Sequence, residues 1–505
     1  MLFSVSINAQ NHYTAPTPNS YPGYLTFIIQ IDLNGVTLES DNIELGAFIN
    51  GTVRGSERIQ LWGNAQRPRA YINIYGNSDN DANAEITFKI YDHTTGQEYL
   101  NYEASYPSQG YDTYEVVWSQ NAPLGQNSRP IVLNFTTYNK DITHYSGTDN
   151  GWYLIASPIG EVAPSRVMNM LENTHDLYYF DQNQELEWVN YYGTEGAGFN
   201  LEPGKGYLYA NSSDVTLMFN GSAYNESGAV TLAYEESAKW SGVNLIGNPF
   251  ATSATLDMPY YRLNYDGTFE SLTENTPIEA MEGVIVRVDA AGTANFTATA
   301  KRGTAVIPQV NILVTSNRGK KDDNAIIRFD GGATLGKYQL FEDNAQVYIP
   351  QNGREYAVVD AGTQGELPLN FKATKNGSYT FSFNTENMTM NYFHLIDNLT
   401  GNDVDLLTTP SYSFEARTDD YASRFRLVFT TSDNDENQIA FISNGEIVLN
   451  GVNGYTTVQL IDVNGRILSN LNGANRISTE DLAAGVYMIR LINGSDVKTQ
   501  KIVLK

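Results

Sequence analysis

Gly485-Val486-Tyr487-Met488-Ile489-Arg490-Leu491-Ile492-Asn493-Gly494, closed by Lys501-Ile502-Val503-Leu504-Lys505, is the stretch that decides the fold class. Successive side chains of a strand alternate between its faces. Tyr487, Ile489 and Leu491 therefore share one face, and Ile502 and Leu504 continue a buried face on the returning strand. Asn-Gly pairs recur at Asn444-Gly445, Asn464-Gly465 and Asn493-Gly494, each between apolar runs. Asn-Gly suits the two-residue turn with positive φ that joins antiparallel strands. The pattern predicts a small β-sandwich over 439–505, with its strand order unspecified.

Working outward, the same strand-and-turn pattern covers the rest of the chain, so the expected class is all-β, with several sandwiches of immunoglobulin or jelly-roll type in tandem. Residues 432–438 are acidic and Asn-rich and read as a linker. Before it, 310–431 carries apolar runs at 325–329, 346–349, 356–360, 379–383, 393–397 and 425–429, the spacing of a sandwich. Residues 148–309 read as a central β-rich domain. Within it Pro164 is expected to start a short helix with Val167, Met170 and Leu171 on one face. Residues 11–138 alternate over 25–33, 43–50, 70–75, 85–92 and 114–118, with 131–135 as a closing strand, and read as a further sandwich. The polar segment 137–147 is the expected boundary. Met1 to Gln10 resembles the end of a secretory signal with cleavage after Ala9 but without a basic start, so a truncated signal peptide is expected.

Leu482-Ala483-Ala484-Gly485-Val486-Tyr487, then Ile489-Arg490, then the terminal Lys501 to Lys505, with Gln459 to Leu468 as a middle hairpin, resemble the type A C-terminal sorting domain of the type IX secretion system. The resemblance covers about the last seventy residues, with several motifs in the right order. It implies export across the outer membrane of a Bacteroidetes-type bacterium by the type IX translocon. It also implies removal of the domain by a sortase-like peptidase, and attachment to the cell surface or release. Its sorting motif corresponds to Leu482, Gly485, Val486, Tyr487, Lys501 and Lys505. Leu45 to Phe48 and Ile86 to Asp92 resemble a module of secreted Bacteroidetes surface proteins, and Val347 to Pro350 with His394 to Gly401 resemble a β-domain that precedes such tails.

Composition narrows the function without naming it. The formal charge of −26 opposes nucleic acid and anionic membrane. The absence of cysteine excludes disulfides, thiolate metal sites and a cysteine nucleophile. No apolar run approaches the roughly eighteen residues of a membrane span. The five histidines, His12, His93, His144, His175 and His394, are scattered and read as surface or loop residues, and no serine-hydrolase elbow or phosphate-binding loop occurs.

Three features point to binding or catalysis. Aromatics make up 12% of the chain, and Trp152, Trp188 and Trp240 with Tyr207 and Tyr209 all fall in the second region, where flat rings would stack on a sugar or a partner. Glu185 and Glu187, beside Trp188, are the best pair for glycosidase chemistry, on one face if that segment is a strand. Asp79, Asp81, Asn83 and Glu85 alternate in a loop and offer oxygen ligands of the type calcium prefers, though the glycine of a calcium-binding helix-loop-helix loop is absent. No other cofactor is expected. The leading expectation is a non-enzymatic, adhesin-like protein that binds a glycan or a host surface protein. The alternatives are a glycan-active enzyme or carbohydrate-binding module, and a structural spacer.

Overall fold

The computed structural model describes residues 11–504 apart from 120, 121, 123, 147–149, 194–197, 275, 300–306, 317–318, 339–343, 432–438 and 444. The expected signal-peptide remnant, the linker 432–438, Asn444 and Lys505 lie outside the described residues. The fold is all-β: strands are joined by turns and, among the described residues, by three short 3₁₀ turns. None of these helical turns is long and apolar enough to cross a membrane.

The first body is a sandwich. One sheet runs in the order Tyr102–Ser105, Ile131–Phe135, Gly23–Leu33, Arg67–Gly76, Gln60–Trp62, and the other in the order Thr52–Arg58, Ile43–Ile49, Thr87–Asp92, Gln97–Tyr99. Between them Phe27, Ile29, Leu45, Ile72, Phe88 and Leu133 form the core. The closing strand Ile131–Phe135 lies parallel to Gly23–Leu33. In Ile43–Ile49 both faces are buried, because the chain at His12 and Tyr13 crosses the outer one. Gly46 permits that crossing, since a methyl group there would sit 2.6 Å from the Tyr13 ring. Glu44, fully buried on this face, accepts from the amides of His12 (2.7 Å) and Tyr13 (2.9 Å) and from Ser56 Oγ (2.5 Å), and contacts His93 Nε2 at 2.7 Å. Those contacts supply the partners that a buried carboxylate requires.

The central region contains an internal repeat. Tyr153–Ala156, Gly206–Asn211, His175–Phe180 and Trp188–Asn190 form a four-stranded sheet in the chain order first, fourth, second, third. Val243–Gly247, Gly283–Arg287, Tyr260–Leu263 and Phe269–Leu272 form a second with the same order. The two meet reciprocally. Ile155 bridges Glu282 while Lys205 bridges Ile246, and the amides of Ala156 and Gly247 donate to the carbonyls of Met281 and Gly204. Backbones approach so closely here that a methyl group on Gly247 would lie 2.4 Å from the Ala156 methyl. Tyr138–Ile142, in the segment read as a boundary, is a strand paired with Val215–Phe219.

The helix expected at Pro164 does not form. Pro164–Arg166 is one 3₁₀ turn, Val167 is already extended, and Asn169 takes a φ of 66°. Met168 exchanges backbone hydrogen bonds with Met218, so pairing to a strand edge wins over the helical pattern. Val167 and Met170 are buried as expected, but Leu171 is exposed.

In 309–431 one hydrogen-bonded path runs from Asn402–Asp405 through Met390–Asp397, Phe425–Thr431 and Gln364–Lys372 to Gln309–Ser316, Gly377–Glu386 and Ser411–Ala416. It rolls around a core that includes Ile312, Leu369, Phe381 and Leu427. Phe414 near one end lies 4.7 Å from Phe425 near the other. The central repeat seats Leu154, Leu245, Tyr261 and Ile285 against Ile326, Leu335, Ala357 and Val358 of this body.

The last body pairs a three-stranded sheet (Ala440–Ser443, Glu446–Leu449, Arg476–Ser478) with a four-stranded one (Ile467–Asn472, Thr457–Asp462, Gly485–Asn493, Asp496–Leu504). Tyr487, Ile489, Leu491, Ile502 and Leu504 all enter its core, as the alternation predicts. The final turn differs by one residue from the expectation: Asn493 pairs with Asp496, so Gly494 and Ser495 occupy the bend, with Gly494 at a φ of 62°.

Candidate functional site

The sorting-motif residues divide into two kinds. Leu482 packs on the core of the last body, and Tyr487 is buried with its hydroxyl donating to the Ala483 carbonyl at 2.7 Å, which closes the turn before the hairpin. Gly485 pairs with Leu504, and a methyl group there would meet nothing closer than 3.8 Å. Val486 and Lys501 point the other way, onto the outer sheet face, where Val486 pairs with the half-exposed Val503 and Lys501 with Met488. Ile467 and Val497 are also exposed on this sheet, beside Arg490. The result is an apolar face with basic side chains, suited to docking. Gln500, which the sequence did not single out, ties the two sheets together. Its Oε1 accepts from the amides of Ile439 (2.6 Å) and Ala440 (2.8 Å), and its Nε2 donates to the Ala440 carbonyl (2.6 Å).

The aromatic residues of the central region come together, but as packing. Trp152, Trp188 and Trp240 all lie partly buried around one core. Trp188 meets Phe180 edge-on at 5.1 Å and Trp240 meets Tyr338 edge-on at 5.0 Å. Tyr207 and Tyr209 have no exposed surface and present no ring face to a ligand. Burial lifts both phenols far above their ordinary range, Tyr209 to about 12. Glu185 and Glu187 sit in a bend ahead of the strand Trp188–Asn190. Glu187 is buried and accepts the Trp240 amide at 2.9 Å, whereas Glu185 is exposed.

The oxygen-rich loop near Asp79 is built around a protein cation. Asp81 is buried against Arg54 at 3.0 Å and accepts the Asn77 amide at 2.7 Å. Asp79 is exposed, Asn83 has a φ of 60°, and Glu85 pairs with Val117. Among the described residues no three His, Asp or Glu side chains converge to hold a metal ion. Two histidines depart from the surface reading: His175 and His394 are buried within strands, because each stacks on a tyrosine, His394 on Tyr392 at 4.1 Å and His175 on Tyr209 at 5.4 Å.

A cleft of about 370 Å³ opens where the central repeat meets the next body, lined by Tyr234, Ser241, Arg287, Asp289, Arg354 and Tyr356. Asp289 is held by the Arg354 guanidinium and by the Tyr356 hydroxyl, which donates at 3.0 Å. Arg287 is fixed in the wall through the carbonyls of Ser241 (3.2 Å) and Lys337. The buried Ser241 hydroxyl finds no hydrogen-bond partner among the described residues. Arginine donors, the carboxylates of Glu236, Asp289 and Glu355 and two phenol rings thus line the cleft, which suits a small polyhydroxylated ligand. These residues come from separate strands and loops, so no local sequence signal marks them.

No curated protein matches the chain. Residues 437–505 match the family model of the secretion system C-terminal sorting domain. The chain therefore carries a type IX sorting tail, engages the type IX secretion machinery through it, and is a secreted or cell-surface-attached protein.

Proposed function

We propose that the exported body is a non-enzymatic, adhesin-like protein that binds a glycan in the cleft between Tyr234 and Arg354. The observation that carries this reading is the cleft itself. Its volume of about 370 Å³ lies within the range of small-molecule sites. Its Arg354, Asp289 and Tyr356 form a hydrogen-bonded frame. Sugars are recognised by such planar polar groups together with aromatic faces. Asp289, engaged by an arginine and a phenol, is placed to hold a ligand.

The test is a glycan array with the purified chain, followed by titration of any hit. Arg354→Ala and Tyr234→Ala should each weaken binding about tenfold, without loss of folding. Binding that both substitutions leave intact would move the site elsewhere. Cleavage of the bound glycan, lost in Asp289→Asn, would replace the binding protein with an enzyme.

A further inference from the structure

The tail does not hang from the body; it is seated on it. Phe441 and Val448 of the tail enter one buried apolar cluster with Tyr392, Ile396 and Val428 of the preceding body. Phe441 meets the Tyr392 ring nearly edge-on at 6.1 Å. Around this cluster the polar groups are matched in charge. Arg476 of the tail brings its Nε to 3.2 Å from the Asp403 carboxylate of the body and donates from Nη2 to the Tyr392 hydroxyl at 3.2 Å, while its third nitrogen, Nη1, holds Glu446 of the tail at 2.7 Å. Ser443 of the tail donates to Glu366 of the body, whose carboxylate is also held by Arg426 at 2.9 Å. His394, stacked on Tyr392, contacts Asp403 at 2.7 Å from the other side. The partners also differ in charge: the tail carries Arg466, Arg476, Arg490, Lys498, Lys501 and Lys505 against five acidic residues, whereas 309–431 carries eleven basic residues against fifteen acidic ones.

We infer that this interface holds the sorting tail on the 309–431 body without help from the linker, so that cutting the chain between them leaves a two-piece complex and release of the tail is a separate step. An apolar cluster of two tail and three body side chains, ringed by partly desolvated ion pairs, is the anatomy of a specific protein interface. Release of the tail uncovers Tyr392, Ile396 and Val428 on the body.

The experiment replaces residues 433–438 of the full chain with a specific protease site, cuts it, and follows the two pieces by native mass spectrometry and gel filtration. The cut tail should co-elute with the body. Arg476→Ala and Asp403→Ala, which alter the rim and leave both cores intact, should each speed dissociation about tenfold, the equivalent of about 1.4 kcal/mol at the interface. Tyr455→Ala, on a tail residue that is 91% exposed, should change nothing. Immediate separation of the unmodified pieces would overturn the inference. Equal retention in the unmodified and both rim variants would also overturn it, because the tail would then be held at some other place.

Discussion

Tyr487→Ala separates the two kinds of residue in the sorting motif. The Tyr487 side chain is 8% exposed, belongs to the tail core with Ile489, Leu491, Ile502 and Leu504, and anchors the Ala483 carbonyl. Truncating a buried aromatic ring to alanine costs about 3–5 kcal/mol. A single core in a domain below about 70–80 residues rarely supplies more than about 3–5 kcal/mol, so the substitution should unfold the tail. Tyr487→Phe keeps the ring and gives up one hydrogen bond, worth about 0.5–1.5 kcal/mol, and should leave the tail folded.

Two readouts belong together: limited proteolysis of the tail in the purified chain, and the fraction of protein reaching the outside of the cell. Tyr487→Ala should lose both protease resistance and export, and Tyr487→Phe should keep both. A Tyr487→Ala protein with a protease-resistant tail and normal export would refute the assignment of Tyr487 to the core. So would a Tyr487→Phe protein as impaired as the alanine variant.

Gly485→Ala should fold normally, since nothing lies within 3.8 Å of the added methyl group, so any export defect it causes would report recognition rather than stability. Arg424→Ala should destabilise the 309–431 body by about 3–5 kcal/mol in chemical denaturation, because it leaves Asp397, with its side chain 1% exposed, as an uncompensated buried charge. Burial raises the Asp397 carboxyl, but hydrogen bonds from Arg424, Tyr412 and the Leu399 amide outweigh it and hold the group below the usual carboxylate range. Its stabilisation is therefore complete above the ordinary value of about 3.9 and disappears as pH falls through the lower native value, which thermal melts between pH 6 and pH 2 will follow. Trp188→Ala should lower thermal stability, by about 2 kcal/mol for a partly buried ring, and leave glycan binding in the Tyr234 cleft unchanged.

Strand alternation was legible wherever one face is buried and the other is wet. Tyr487, Ile489 and Leu491 went inside as their spacing predicts, because a one-residue slip would have exposed all three. The helix at Pro164 was misread because Val167 and Met170 are buried for another reason: Met168 pairs with Met218, and Asn169 takes the left-handed conformation that asparagine tolerates. Trp152, Trp188 and Trp240 were rightly grouped, but residue type alone does not separate a stacking platform from the rim of a core. The cleft was illegible because Tyr234, Arg287 and Arg354 are distant in sequence and meet only when the central repeat docks on the next body. The repeat itself left a signal that went unread. Leu154-Ile155 with Pro158 recurs as Leu245-Ile246 with Pro249, at the same place in each sheet.

The central claim, that the tail directs export, is tested most directly by comparing the location of the full chain with that of a chain ending at Thr431. The shortened protein should remain folded, by the protease resistance of its 309–431 body, yet accumulate in the periplasm while the full chain reaches the cell surface or the medium. Equal amounts of both proteins outside the cell would contradict the account.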